Sequence, residues 1–299
     1  MPQGSVLGPL LFLIFINNIV QQVSPGSSIS LFADDIALYR PIISDLDYSI
    51  LQNDVTSLVV WINNSLLALQ PTKCSYMLIS RRSSPRLPLP NILVQGTPLS
   101  LVSSVKYLGI LINSDLSWSP HVANLCSKAR KLVGLLYRQF YKNADPTTLL
   151  TLYKAFIRPH LEYNAIVWDP FLLGDIDSLE KVQRFALRVC LKSWSTDREH
   201  LYSQSRIPAL VDRRKQARLC HMYKIVNDQT DFPEAPLQYR AINFVTRSSH
   251  SQQLRNIAAR TSQYQNSFFP RTIAQWNSLP QNLVNSSFIT FKSHLNLYH

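Results

Sequence analysis

Glycine is scarce in this chain, 7 residues in 299 against 18 prolines. Glycine-lined loops are therefore few and rigid breaks are many. Cysteine is scarcer still. Cys74, Cys126, Cys190 and Cys220 stand far apart without paired spacing, which excludes a disulfide-stapled secreted module and a standard zinc site. His221 adjoins Cys220, but no second pair at ligand spacing answers it. Isolated buried thiols in a reducing, intracellular setting are expected, with no disulfide-linked partner. The apolar stretch from Val6 to Val20 has no basic residues before it and is broken by Pro9 and Asn17-Asn18. A signal peptide is not expected on that ground, and the stretch is too short for a membrane span, leaving a buried core helix as the expectation. No internal repeat is present at the usual periods.

Acidic residues are the other deficit, 18 against 30 Lys and Arg, for a formal charge of +12. Such an excess points to a polyanionic partner, nucleic acid first, because phosphate contacts supply most non-specific affinity. A basic protein without that partner has the same composition. Hydrophobic residues at 46% and charged residues at 16% describe a folded chain, long enough for one sizeable core or two smaller ones.

Periodicity divides the chain into an α+β first part and a mainly helical remainder. Leu10 to Val23 reads as helix, ended by Ser24-Pro25-Gly26-Ser27. Apolar residues at helical spacing (Ile50, Leu51, Val55, Leu58, Ile62) predict a second helix over 45–68. Met77 to Ile79 reads as a short strand and Arg81 to Pro90 as an exposed loop. A small β-unit follows through Asn91–Val94 and Val105–Ile112. From His121 the pattern is helical: Val122 to Tyr141 is basic and amphipathic, and Asp145-Pro146 caps a helix running to about Arg158. Leu179–Leu191 and Val211–Val226 are two more. Beyond Asp231 the polar tail, with apolar clusters at Phe268-Phe269 and Trp276, fits a packed extension and a partly disordered one equally.

The sharpest local feature is Asp34-Asp35, set within Ile29-Ser30-Leu31-Phe32-Ala33 and Ile36-Ala37-Leu38-Tyr39. Two apolar strands joined by a tight turn would carry the pair at the tip. An acidic surface turn accounts for it as well when it is taken alone. Burying adjacent unpaired carboxylates is costly, so divalent cations give the arrangement a chemical reason. Upstream lies Pro2-Gln3-Gly4-Ser5-Val6-Leu7-Gly8-Pro9, and Leu69-Gln70-Pro71-Thr72-Lys73-Cys74 lies downstream. Val105-Lys106-Tyr107-Leu108-Gly109-Ile110, Arg158-Pro159-His160-Leu161-Glu162-Tyr163 and Trp276-Asn277-Ser278-Leu279-Pro280 complete the series.

In that order these segments resemble LINE-type (non-LTR) retrotransposon reverse transcriptases, close to the jockey-like branch, over nearly the whole chain. The resemblance implies an α+β partial palm with primer grip at 1–118. Thumb-like helices follow at 119–165 and a helical, basic extension at 166–299. It also implies RNA-templated addition of deoxynucleotides (dNTP) to a DNA primer 3′-end. Two Mg²⁺ ions about 4 Å apart would clamp the attacking oxygen and the leaving phosphate, Asp34 as principal ligand and Asp35 as support. Gln3 and Gly4 would meet template or nucleotide, Lys73 the pyrophosphate, and Tyr107, Leu108 and Gly109 the primer end. Lys128, Arg130, Lys131 and Arg138 would track the phosphate backbone. An exposed structural lysine and a solvated charged face are the plainer accounts of Lys73 and of the basic helix.

The sequence departs from the family in three respects. The motif that supplies a further aspartate upstream of Pro-Gln-Gly has no counterpart, nor do the fingers or the endonuclease domain. The expectation is a C-terminal fragment without autonomous polymerase activity. The alternatives are a non-catalytic nucleic-acid-binding protein and a decayed transposon relic.

Overall fold

The computed structural model describes residues 4–80, 89–195, 197–230, 232, 236–240 and 250–295. Most of the loop read at 81–90 lies outside them, as do Gln3 and Asp231. The chain divides into two compact units, Met1–Lys106 with Asn113–Asp115, and Tyr107–Ile112 with Leu116–His299. Helices predominate, and the strands form small two-stranded sheets among the described residues.

In the first unit, helix α1 (Gly8–Ile16) continues as a 3₁₀ turn over Asn17–Gln22. Strands β1 (Ser28–Phe32) and β2 (Asp35–Tyr39) pair antiparallel, with Ile29 opposite Leu38 and Leu31 opposite Ile36. Those four face one way and pack against Ile16, Ile19, Leu58 and Ile62. Helix α2 (Asp45–Asn64) supplies the last two. It starts at Ser44 in a reciprocal capping box with Asp47, whose carboxyl is held at about 2 by bonds from the Ser44 and Ile43 amides. Met77–Ile79 is not a strand. Strand β3 is Ser75–Tyr76, because only these two residues lie alongside Ser100–Leu101 (β6), in parallel. Between them β4 (Leu93–Val94) and β5 (Thr97–Pro98) form a short hairpin.

Helix α1 corrects the expectation of a buried core helix. Of its residues only Ile16 is buried, while Leu10 is 55% and Ile14 62% exposed. A helix apolar on every side needs covering on every side, and in this unit its packed partners lie along the flank of Phe12, Phe15 and Ile16.

A polar network ties the hairpin to α2. Asp54 is buried and accepts from the Ser24 amide and the Ser27 hydroxyl. Arg40 donates to the Ser27 hydroxyl, the Pro25 carbonyl and Asp47. Burial pushes the Asp54 carboxyl up, but the bonds from Ser24 and Ser27 and the Arg40 charge outweigh it, and its pKa is lowered.

The chain passes through β7 (Ser104–Tyr107) and β8 (Ile110–Asn113) into the second unit. There α3 (Ser119–Phe140) lays Val122, Cys126, Ala129 and Val133 against α7 (Leu173–Leu191). Asp145 caps α4 (Pro146–Leu152) as its sequence indicates, accepting from the Thr147 and Thr148 amides. The helix then widens into a π turn at Tyr153–Ile157 before α5 (Arg158–Glu162). Pro159 accounts for this, having no N–H for the Ala155 carbonyl and a ring that crowds it. Helix α6 (Ala165–Trp168) leads into α7, which starts six residues before the apolar periodicity does. Helix α8 (Arg198–Ser205), capped by Asp197, has no counterpart in the sequence reading.

Helix α9 (Leu210–Val226) joins this core to the tail. The tail is packed over its described part: α10 (Ser262–Gln265), α11 (Phe268–Trp276), α12 (Gln281–Val284) and α13 (Phe288–His294). Trp276, Phe291 and Leu283 bury against Leu219, Met222 and Tyr223 of α9. All four cysteines are free thiols; Cys126 and Cys190 are buried, whereas Cys74 and Cys220 are only partly so. Among the described residues no helix is long and apolar enough to cross a membrane.

Replacing Asp54 by Ala strands the Ser24 amide and Ser27 hydroxyl and should cost the first unit about 2–3 kcal/mol. Hydrogen exchange should report it as lost protection at the β1 and β2 amides, and unchanged exchange would refute the clamp. A pH effect follows in the second unit. Burial lowers the pKa of His121, and of His160, His221 and His250. Each neutral ring contributes stability that is present above the unfolded value near 6.5 and lost as pH falls through the depressed folded value. The unfolding temperature should fall between pH 7.5 and 5, a trend weakened in His121→Gln; thermal scans across that range test it.

Candidate nucleic-acid and metal-binding site

Phe32 pairs with Asp35, so the turn between β1 and β2 is the two residues Ala33 and Asp34. Ala33 takes φ +52°, a left-handed conformation that costs a non-glycine residue about 1 kcal/mol. The strand period places Asp35 with Phe32 on the face opposite the packed Ile29, Leu31, Ile36 and Leu38. Asp34 and Asp35 are both exposed at the tip. The core-facing apolar alternation of the flanking strands thus fixes where the carboxylates stand.

Two exposed carboxylates are the donor type that Mg²⁺ takes, since that ion keeps several waters and accepts one or two protein carboxylates beside substrate phosphates. The donor set fits an ion shared with a phosphate ligand. It does not fit a cage supplied by protein alone, because no group of three or more His, Cys, Asp or Glu side chains at metal-holding distance occurs among the described residues. Asp54, the nearby buried acid, is committed to Ser24 and Ser27.

Gly4 is exposed at φ +90°, and nothing lies within 4 Å of where a Cβ would sit. Its backbone conformation, not crowding by the protein, requires glycine there. Lys73 is exposed at the end of a 3₁₀ turn, Pro71–Lys73. Gln3 lies outside the described residues.

Leu108 and Gly109 form the turn from β7 to β8, at φ +46° and +84°. Positive φ at both central residues is the signature of the type I′ hairpin, which matches the twist of the flanking strands. Tyr163 holds this turn. Its hydroxyl donates to the Leu108 carbonyl at 3.2 Å, and a Cβ on Gly109 would stand 3.2 Å from its ring. The Leu111 amide donates to His121 Nδ1 at 3.2 Å, and that ring meets Trp168 edge-on at 5.1 Å. Sequence reading placed Tyr163 in the Arg158–Tyr163 segment and His121 at the start of the helical part, and gave neither contact; nothing local to either residue signals it.

Lys128, Arg130, Lys131 and Arg138 are exposed on α3, and none pairs with an acid among the described residues. They do not form one row. At about 100° per residue, Lys128, Lys131 and Arg138 share a stripe facing away from Val122, Cys126 and Ala129, while Arg130 lies on the other flank. Exposed cations without partners are free for phosphate oxygens.

Gly109→Ala adds a strained φ and a tight contact with the Tyr163 ring, and should lower stability by about 1–2 kcal/mol. Tyr163→Phe should cost less, about 1 kcal/mol. Denaturant titration ranks the two, and an alanine as stable as wild type would remove the turn's dependence on glycine.

Comparison with known proteins fits this arrangement. Residues 1–112 match the family model for reverse transcriptases, RNA-dependent DNA polymerases. The probable RNA-directed DNA polymerase from transposon X-element of Drosophila melanogaster is 24% identical over 195 residues, 63% of this chain and 21% of that protein. The RNA-directed DNA polymerase from mobile element jockey, from the same organism, is 25% identical over 225 residues, 71% and 24%. The Pol polyprotein from type-1 retrotransposable element R1 of Bradysia coprophila is 30% identical over 211 residues, 66% and 20%. The matched stretch thus spans about a fifth to a quarter of each of these relatives. No solved structure matches the chain. The reverse-transcriptase match thus rests on residues 1–112, and the wider similarity is to polymerases of LINE-type, non-LTR retrotransposons.

Proposed function

We propose that the chain carries the metal-binding turn and the nucleic-acid-holding helices of an RNA-directed DNA polymerase. The observation that carries this reading is the adjacent, exposed Asp34 and Asp35 on a hairpin tip inside the family-matched residues 1–112. Asp34 serves as principal ligand to Mg²⁺ and Asp35 as support. When bound, two such ions activate the primer 3′-oxygen and neutralise the leaving pyrophosphate. Lys73 offers a positive charge to that leaving group, and Gln3 and Gly4 border the template and incoming dNTP. Tyr107, Leu108 and Gly109 hold the primer end on a turn that Tyr163 keeps rigid. Lys128, Lys131 and Arg138 follow the phosphate backbone along one stripe of α3, with Arg130 beside them. In this reading residues 1–118 are a partial palm, 119–165 a thumb and 166–299 a basic extension. The thumb and extension share one packed core, since α3 and α7 bury their apolar faces together.

We infer further that the chain does not polymerise on its own. Asp34 and Asp35 are two ligands on one turn, and a two-metal clamp needs carboxylates converging from more than one element. Loss of a ligand in such a site costs several orders of magnitude, because positioning and charge neutralisation supply nearly all the rate. The uncovered apolar surface of α1 supports a role beside further polypeptide. What remains is the nucleic-acid-binding reading, favoured by the unpaired cations of α3.

The purified chain, given oligo(dT) on poly(rA) with Mg²⁺ and dTTP, should bind the hybrid with a steep salt dependence and add no nucleotide. Lys128→Glu with Lys131→Glu should weaken binding roughly tenfold, whereas Asp34→Ala should leave it unchanged. Primer extension that disappears in Asp34→Ala would overturn the inactive reading and leave the metal assignment standing. Binding insensitive to salt and to both substitutions would overturn the reading as a whole.

A further inference from the structure

Away from the α3 stripe, the second unit holds two adjoining cavities of about 380 and 740 Å³ that share Arg213, Gln216, Phe288 and Lys292 on their walls. They form one continuous groove between α5, α9 and α13. Its first part also presents Arg214 and Lys224. The second part adds Lys154 and Arg158, carried on the π turn and the start of α5, and Arg206 from the end of α8. Seven Lys and Arg side chains therefore line the groove, against one acid, Glu162. That acid is already engaged by Arg213 and Arg158. Lys154, Arg206, Lys224 and Lys292 make no ion pair among the described residues.

The wall is charged as well as the rim. Arg214 has a fully buried side chain; its Nε donates to Asp169 at 2.6 Å, yet both Nη atoms lack a hydrogen-bond partner. A buried guanidinium with two unanswered nitrogens is costly unless an acceptor comes from outside. Asp169 cannot be that acceptor in full, because Arg218 and Arg271 share it. At the mouth, Ile289 is 82% exposed and Phe288 lies on the wall of both cavities.

We propose that this groove binds the sugar–phosphate backbone of single-stranded nucleic acid, at a site separate from α3 and from Asp34-Asp35. Spaced cations along a concave track meet a polymer carrying one charge per residue, and apolar side chains beside them give bases a surface to lie on. The recessed position of Arg214 favours a strand that can bend into the groove over a stiff duplex, whose phosphates would reach only the rim. The inference does not depend on the polymerase reading, since no residue of the first unit takes part.

Fluorescence anisotropy on the full chain tests it, with labelled 20-nucleotide oligo(U), oligo(dT) and a 20-base-pair duplex as probes over a salt titration. The exposed rim residues are changed together, Lys154→Glu, Arg206→Glu and Lys292→Glu, beside a control with Arg198→Glu, Arg255→Glu and Arg260→Glu that alters net charge equally. The groove variant should lose at least tenfold in single-strand affinity, and its salt slope should fall by about 2. The control should lose markedly less. Circular dichroism, with a second variant carrying Gln at the three rim positions, separates lost binding from lost folding. Equal losses in groove and control variants would overturn the proposal. So would groove-dependent binding of the duplex as tight as that of either single strand, or oligo(U) binding abolished by equimolar poly-glutamate. Preference for oligo(U) over oligo(dT), or the reverse, identifies which strand the groove takes.

Discussion

A single buried carboxylate, Asp169, holds the second unit together. It follows α6 and faces Arg214 and Arg218 of α9 and Arg271 of α11. Arg271 also donates to its main-chain carbonyl at 3.3 Å. One residue therefore fixes the mutual position of the helices that carry the α3–α7 core and those that carry the tail. Burial lowers the pKa of Arg218 to about 9, with the neighbouring Arg271 charge adding to the effect, so the guanidinium still stays charged at neutral pH. Removing the carboxylate would leave three cations with no counter-charge in a dry interior, a loss of the size (about 3–5 kcal/mol) seen when a buried pair is broken on one side. The arginines outnumber the acid, and the excess charge lies in the groove wall, where the buried Arg214 keeps two nitrogens without a hydrogen-bond partner.

The first unit is built on a smaller scale. Its core is Ile16, Ile19, Leu58 and Ile62 with partly buried neighbours, and a polar clamp of Asp54 and Arg40 fixes the base of the β1–β2 hairpin. That division suits the site. The base is pinned by hydrogen bonds and apolar packing, while the tip carries its two carboxylates into solvent, where an ion and a phosphate can reach them. The exposed side of α1 belongs to the same economy of structure, an apolar surface made for contact that this unit does not itself complete.

Much of the local structure was legible. The alternation around Asp34-Asp35 foretells a hairpin because period-2 burial leaves few other solutions, and Asp145-Pro146 announces its helix by chemistry confined to one turn. Leu173–Ile176 was not legible as helix, since Gly174 and Asp175 mimic a loop; in the structure the Ser119 hydroxyl at the start of α3 donates to Asp175 in this turn. Helix α8 was missed for the same reason: its sequence is polar, and only Leu201 and Ser205 are buried. The fate of the tail was undecidable locally, because Trp276 and Phe291 are isolated in sequence and find one another only across α9.

The sequence by itself determined the chemistry. Neighbouring residues in order are enough to set the acidic turn, the Leu108-Gly109 hairpin turn, the basic face of α3 and the kinship with reverse transcriptases. Tertiary structure alone decided which distant side chains share a space. Tyr163 on the turn at Gly109 stands 54 positions away along the chain, and Lys154, Arg206 and Lys292 meet in one groove from three separate elements. Local patterns record what a residue can do with its own backbone. Long-range charge clusters arise from how buried apolar faces happen to orient whole helices, and no short window of sequence contains that information.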